Sequence, residues 1–396
     1  MLRSLFLTTL ALLCCVPASA SQSIPSLKTA LQSDIASYLS ARAKIEHLSA
    51  ISLCVSLRGG ASDIAVASGR TQYGGGVPVT PRNIFQIGSN TKAFTSAAIL
   101  QLEAEGKLSI DQTVGRWLPQ YPAWKGVTIR RLLSMTSGIP TYDDTKQMLA
   151  DYARNPKRYF TIPELIAYVY PTNPNAPKPT LGYSYSNTNY LLAELIVEAA
   201  SHDTYPSQLQ KRFFSKLGLD STFYAANQYA PAALAREPSA YFVNDDPDNA
   251  ALAPLLGRDV RLDSLSWMQG AGGIAATPCD LAHWARQLYT GPMLPPKQRA
   301  ELFSLVSTKT GKPLAEVSEA EPRGFGLGVA RMMAPGMPPI WFYEGESLGF
   351  RTVQYYLTTE DVAVAFSFNS RPAGAKDDAG KLAQAVYKTL KESGAL

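Results

Sequence analysis

The sequence predicts an α+β fold: an antiparallel sheet flanked by helices and drawn from both ends of the chain, with a mostly helical lobe supplied by the middle. Three observations carry this. Strand patterns cluster near the two ends, at Ile51–Leu57 with Asp63–Ser68 and again across Pro339–Ser370. Helical spacing of apolar residues dominates the stretch between them. No internal repeat or low-complexity linker divides the chain into independent units.

Taken in order, residues 1–20 read as an export signal. Arg3 supplies the positive start, Leu5 to Val16 the apolar run, and Ala18-Ser19-Ala20 a small-residue cleavage site. The run is too short to span a bilayer, so the expectation is a periplasmic or secreted protein that does not cross the membrane, with residues 21–396 as one domain. Leu27, Leu31, Ile35 and Leu39 then recur every four residues and predict a first helix. The two short strands that follow form a hairpin through Gly59-Gly60. A helix is predicted from Ser89 to about Glu105, and a short one ending in a turn over Thr128–Ile139.

Thr161-Ile-Pro-Glu164 is a helix start, with threonine as N-cap and glutamate closing a capping box. A helix follows over about Asn189–Ala200. Residues 225–265, rich in Ala, Pro, Asp and Asn, have no assignable pattern. Thr277-Pro278 opens a helix with Leu281, Trp284, Ala285 and Leu288 on one face. Pro339–Ser370 holds two or three strands, and Ala379–Leu390 a closing helix.

Composition excludes several functions. The net charge is +5, and the basic residues are scattered rather than gathered in the stripe that nucleic-acid binding requires. The three histidines have no ligand-like spacing, so no metal is implied. Removal of the signal takes Cys14 and Cys15, leaving Cys54 in a strand pattern and Cys279 in a helix start. The compartment permits a bridge between them, but nothing local indicates one; the expectation is two separate buried thiols.

The chemistry concentrates at Ser89-Asn90-Thr91-Lys92. Residues three apart share a helix face, which sets the Lys92 amine beside the Ser89 hydroxyl. A helix start adds unpaired N–H groups and a positive dipole end. Those are the parts of acyl transfer: nucleophile, base and oxyanion donors. S-x-x-K alone is a weak signal; its company strengthens it. Tyr185-Ser186-Asn187 lies on a loop before a helix. An adjacent ammonium eases loss of the Tyr185 proton, making the phenolate a candidate base, and Asn187 offers a donor and an acceptor to a substrate amide.

Together with IFQIGSNTKAFTSAAILQLEAEGKLSIDQTV, LLSMTSGI, YSNTNYLLAELI, GAGGIAATPCDLAHWARQL, GFGLGV and GESLGFRTVQYY, these motifs make the chain similar to the serine β-lactamase-related family. That group includes class C β-lactamases, D-Ala-D-Ala carboxypeptidases, D-aminopeptidases and esterases. The resemblance implies a two-lobed β-lactamase/transpeptidase-like fold and an acyl-enzyme on Ser89, with Lys92 and Tyr185 sharing the acid and base roles. It implies that Asn187 orients the substrate, and that the backbone N–H groups of Ser89 and of Glu346, after Gly345, form the oxyanion hole. No metal or organic cofactor is implied, and the partner is a small-molecule or peptide substrate, peptidoglycan-derived peptides included.

The departure comes at the third motif. Members of the family usually carry Lys-Thr-Gly or His-x-Gly on an edge strand, where this chain has Tyr343-Glu344-Gly345. Tyr343 keeps a donor but loses the cation, so recognition of a substrate carboxylate weakens there. Arg351 on the next strand is the candidate to compensate. Glu344 and Glu346 add negative charge and favour neutral esters, amides or amines. The literal Lys309-Thr310-Gly311 reads as a decoy, in a polar segment without strand alternation.

Two rivals remain. Gly345-Glu346-Ser347-Leu348-Gly349 matches the nucleophile elbow G-x-S-x-G, but it precedes a strand and no histidine follows His283. The other keeps the fold but changes the role, as a carboxylesterase or as a non-catalytic module that binds penicillin or peptidoglycan; the missing cation is the best argument for the non-catalytic module.

Overall fold

The computed structural model describes residues 23–60, 62–225 and 227–396. Residues 1–20, expected to be an export signal, lie outside them together with Cys14 and Cys15. The first helix spans Ile24–Arg42 and buries Leu27, Leu31, Ile35 and Tyr38. Tyr38 takes the place expected of Leu39 for a geometric reason. Each residue advances about 100°, so three steps of four drift about 120°, while eleven residues return to within about 20° of Leu27.

The strands in chain order begin with β1 (Ala50–Ser56), β2 (Asp63–Gln72), β3 (Gly75–Pro78), β4 (Phe85–Gln86), β5 (Thr222–Tyr224), β6 (Tyr241–Phe242) and β7 (Ile274–Ala276). Next come β8 (Leu305–Ser307), β9 (Pro313–Leu314), β10 (Arg323–Phe325) and β11 (Ala330–Met333). The last are β12 (Pro339–Glu346), β13 (Arg351–Leu357), β14 (Val362–Phe368) and β15 (Ser370–Arg371). Ten of them form one sheet in the order β3-β2-β1-β14-β13-β12-β11-β10-β8-β9. Its centre joins the two ends of the chain, with Ile51 opposite Phe368 and Ser56 opposite Ala363.

Strands β1, β13 and β14 are buried along their whole length. Continuous apolar runs of this kind are what a sheet covered on both faces requires. The terminal helices Ile24–Arg42 and Ala379–Glu392 cover one face, enclosing Ile51, Leu53, Val364, Phe366 and Leu382. The other face carries helix Pro278–Tyr289 and the helical lobe, whose core runs through Phe94, Ile99, Leu191 and Trp284. Helix Thr91–Ala104 is the axis of that lobe, with eleven of its residues buried.

Several expectations change. Cys54 and Cys279 form a disulfide, so the reading of two separate thiols is corrected. Strand β1 and the start of helix Pro278–Tyr289 meet only in three dimensions, across 225 residues of chain, which is why no local signal announced the bridge. The strand bearing Tyr343 is not an edge: β11, β10, β8 and β9 extend the sheet beyond it. Those strands are short and half-exposed, so their alternation is too brief to read. The capping box at Thr161 and Glu164 is present as predicted. The unassigned 225–265 stretch is mostly irregular, with a short helix at Pro231–Leu234 and a 3₁₀ segment at Pro247–Leu255. No helix among the described residues is long and apolar enough to cross a membrane.

Candidate active site

Ser89 sits in a tight turn, Gly88–Asn90, that feeds directly into helix Thr91–Ala104. Asn90 fixes this turn by donating through Nδ2 to the Ile87 carbonyl at 2.8 Å and to the Thr352 carbonyl of β13 at 3.1 Å. One helical turn on, Lys92 Nζ donates to Ser89 Oγ at 2.9 Å and to the Ala271 carbonyl at 2.8 Å. The Tyr185 hydroxyl lies 2.7 Å from Ser89 Oγ on its other side. Sequence spacing alone placed Lys92; the chain must fold back across 96 positions to bring Tyr185 to the same oxygen.

Electrostatics distinguish the two neighbours of Ser89. Lys92 is fully buried, lies 4.9 Å from the Tyr185 ring centre, and has no carboxylate within ion-pair distance among the described residues. Burial therefore pushes its ammonium down to about 7, with the charge of Asp143 acting weakly the other way. The dry floor pushes the Tyr185 phenol up, against hydrogen bonds that would lower it. The ring is 39% exposed to the cleft, so water relieves part of that rise. Burial therefore acts against the expected phenolate, and a Lys92 whose ammonium is destabilised by burial gives Tyr185 less cation to ionise against. A neutral amine beside a serine hydroxyl can take its proton, and a protonated phenol can give one.

Asn187 is the first residue of helix Asn187–Ser201, and its backbone N–H donates to Thr141 Oγ1 at 2.9 Å. Its Nδ2 donates to Asp143 Oδ2 at 2.6 Å, while its Oδ1 is buried without a partner among the described residues. Only the acceptor is thus plainly free for a ligand. Asp143, which holds this amide and faces Lys92, is a residue the sequence reading missed. The acid pair Asp143-Asp144 after the LLSMTSGI turn was the available signal.

Tyr343 is buried and lines the same cleft of about 700 Å³ as Ser89, and its hydroxyl faces that of Tyr185 without a well-formed hydrogen bond. Burial raises its phenol well above the ordinary value, so it remains a donor. Gly345 permits the close approach of β12 to the Ser89 turn. A Cβ there would stand 1.9 Å from the Ile87 carbonyl oxygen and 2.6 Å from Ser89 N, and one on Gly88 would meet Glu346 N at 2.4 Å. The segments carrying the Ser89 and Glu346 amides are therefore in direct backbone contact.

Arg351 does not compensate for the missing cation. It is fully buried and points to the far face of the sheet, where it pairs with Glu46 at 2.7 Å and with Asp377. Adjacent Thr352 turns its hydroxyl inward to donate to the Gln86 carbonyl of β4 at 3.2 Å, and strand alternation sends Arg351 the opposite way. The expected negative charge is also reduced. Glu346 accepts from Arg371 at 2.6 Å, and burial with neighbouring Asp377 pushes Glu344 up to about 7. At the cleft rim, Arg323 is exposed and has no side-chain partner among the described residues.

The rival motifs lie apart from this chemistry. Ser347 sits where β12 turns into β13, a strand–turn–strand context unfit for a nucleophile elbow. His283 meets Asp63 at the surface, His47 stacks on Tyr73, and His202 caps a helix end. Lys309-Thr310-Gly311 forms the turn of the β8–β9 hairpin at the end of the sheet. Strands do flank it, contrary to expectation, but the Lys309 ammonium is bonded to the Ala320 carbonyl, away from Ser89.

An antiparallel sheet facing a helical lobe, with a serine, lysine and tyrosine in contact at their junction, defines the β-lactamase/transpeptidase fold. The chain belongs to the beta-lactamase family, whose sequence model matches residues 42–387. It is 26% identical over 290 residues to Penicillin-binding protein 4* of Bacillus subtilis, a match covering 70% of this chain and 58% of that one. Among solved structures it resembles the D-amino acid amidase from Ochrobactrum anthropi SV3 complexed with D-phenylalanine. The TM-score is 0.78 and the identity 22%, over 93% of this chain and 99% of the other. A D-stereospecific amidohydrolase from Streptomyces sp. superposes with a TM-score of 0.72 at 22% identity, over 93% and 98% of the two chains.

Proposed function

We propose that the protein is an exported serine hydrolase that cleaves amide, ester or lactam bonds through an acyl-enzyme on Ser89. The observation that carries this is the placement of Ser89 Oγ between a buried, unpaired Lys92 amine at 2.9 Å and the Tyr185 phenol at 2.7 Å. In this reading neutral Lys92 takes the Ser89 proton as Oγ attacks the acyl carbon. The N–H groups of Ser89 and Glu346 hold the oxyanion. Tyr185 passes a proton to the departing nitrogen or oxygen and recovers one from Lys92. Water then attacks the ester by the reverse relay and restores Ser89.

The unpartnered Asn187 Oδ1 is suited to accept an N–H from the acyl side of the substrate, and the unpartnered Tyr343 hydroxyl to donate to an oxygen on the other side. A peptide ending in D-Ala-D-Ala has both groups and the amide of a D-amino acid has the first, which makes a D-Ala-D-Ala carboxypeptidase-like activity the preferred reading, with a D-amidase-like activity beside it. The names of the related proteins support it, and a carboxylesterase activity is the second choice. Export is supported by the leader pattern and by the disulfide, which persists best in an oxidising compartment.

The test is intact-protein mass spectrometry with a penicillin, a short-chain p-nitrophenyl ester and a peptide ending in D-Ala-D-Ala, while turnover is followed. An adduct on Ser89, absent from Ser89→Ala, is expected, and the fastest substrate names the class. Turnover that survives in Ser89→Ala would overturn the assignment.

A further inference from the structure

The Lys309-Thr310-Gly311 turn is a sequence motif that the proposed chemistry leaves unused, yet it lies against the segment that carries Tyr185. Gly311 and Gly182 meet backbone to backbone, both in the left-handed region, with φ of +72° and +82°. A Cβ on Gly311 would fall 2.6 Å from both Gly182 C and Tyr183 N, and one on Gly182 would fall 2.9 Å from the Thr310 carbonyl oxygen. On its opposite side the Tyr185 segment hangs from the turn at 135–138. Ser184 N donates to the Met135 carbonyl at 2.9 Å and Thr180 N to the Gly138 carbonyl at 3.2 Å. The segment is therefore held between two turns.

The hairpin turn is itself stiff. Ser307 Oγ accepts from the backbone N–H groups of both Lys309 and Thr310 at 3.2 Å, and donates to Glu321 at 3.2 Å. Gly311 N closes the turn on the Ser307 carbonyl at 2.8 Å. The Lys309 ammonium ties the turn to the Ala320 carbonyl. Beyond the contact, Tyr183 packs its ring on Phe325 of β10, with centroids 5.6 Å apart.

We infer that this turn is a brace that holds Tyr185 at hydrogen-bonding distance from Ser89, with Gly311 as a positioning residue for the reaction proposed above. The inference rests on that reading, because it assumes that Tyr185 moves a proton. Displacing a reacting group by about 1 Å can cost about 100-fold in rate. A side chain forced between Gly311 and Tyr183 would produce a displacement of that order.

The experiment measures Ser89 acylation by a D-amino acid p-nitroanilide, whose leaving nitrogen must receive a proton, for Gly311→Ala, Gly257→Ala and Tyr185→Phe, and for Gly311→Ala combined with Tyr185→Phe. Gly257 is the control: its φ is +78°, but nothing lies within 4 Å of a Cβ there, so it reports the left-handed strain without the contact. Gly311→Ala is expected to slow acylation about 10- to 100-fold, and Gly257→Ala less than about 2-fold, at similar melting temperatures. In the Tyr185→Phe background Gly311→Ala should cost less than about 2-fold more, since non-additivity marks effects that pass through one residue.

Ser307→Ala, which loosens the turn without a clash, should act in the same direction and show the same non-additivity if Gly311→Ala fails to fold. A slow Tyr185→Phe protein with a fully additive Gly311→Ala, or equal rates for Gly311→Ala and Gly257→Ala, would overturn the brace alone. A Tyr185→Phe protein as fast as wild type would instead remove Tyr185 from the mechanism, and the brace's purpose with it.

Discussion

The two faces of the sheet each bury a cation completely, and they treat it in opposite ways. On the outer face Arg351 meets Glu46 and Asp377 and lies 4.4 Å over the Phe368 ring, and nearby carboxylates hold its charge in place. On the inner face Lys92 has a hydroxyl and a carbonyl but no carboxylate, and burial brings its ammonium down to about 7. Equal burial thus yields a permanent charge on one side and a proton-exchanging amine on the other. The difference is the counter-ion: a paired charge serves the fold, and an unpaired one becomes available for chemistry.

Removing the chemical cation should have the largest effect. Lys92→Met is expected to lower acylation at least about 1,000-fold while the protein remains folded, since it removes the proton acceptor for Ser89. Its melting temperature should be unchanged or a few degrees higher, because a buried ammonium without a counter-ion destabilises the native state. Steady-state kinetics with thermal unfolding on one preparation would check both halves, and a Lys92→Met protein that retains turnover would remove lysine from the mechanism.

The outer pair should break differently. Glu46→Ala leaves Arg351 with one carboxylate in a dry site and should cost about 3–5 kcal/mol of stability, read by urea denaturation. The rate constant of the folded fraction should be unaffected. Removing the disulfide with Cys54→Ala and Cys279→Ala should cost about 2–5 kcal/mol, again without a change in the chemical step. A large loss of rate per folded molecule in either case would mean that the two faces are coupled.

The pH profile sharpens the contrast. Lys92 is neutral above its folded value, so kcat/KM should rise with pH through about 7 and fall off below it. Stability moves in the same direction with pH, over a higher window. The unfolded lysine binds its proton below about 10.4 and the folded one only below about 7, so stability decreases as pH falls through that window and is level beneath it. Lys92→Met should abolish that slope. The smallest effect is expected at the rim: Arg323→Ala should raise KM about 3- to 10-fold for substrates bearing a carboxylate and leave neutral esters unchanged. Equal KM changes for both would exclude Arg323 from anion recognition.

What was legible in the sequence follows the range of the interactions. Ser89 and Lys92 are one helical turn apart, so helix geometry alone predicts their contact. The Thr161–Glu164 capping box and the β1–β2 hairpin are equally local. Arg351 shows the limit. Its residue type suggested compensation for Tyr343, but its direction depends on the strand register that turns Thr352 inward. Asp143 and the Ala271 carbonyl escaped notice because the groups they serve lie 44 and 179 positions away.

By itself the sequence determined the α+β plan, the family and the Ser89–Lys92 pair, because periodicity, capping and motif spacing are short-range properties. The tertiary structure alone decided the Cys54–Cys279 bridge, the burial of Arg351 among carboxylates and the turn packed beneath Tyr185. It also decided that Lys92, beside Ser89, is buried without a carboxylate partner among the described residues. Desolvation and pairing depend on what surrounds a group in space, and the order of residues along the chain does not state that.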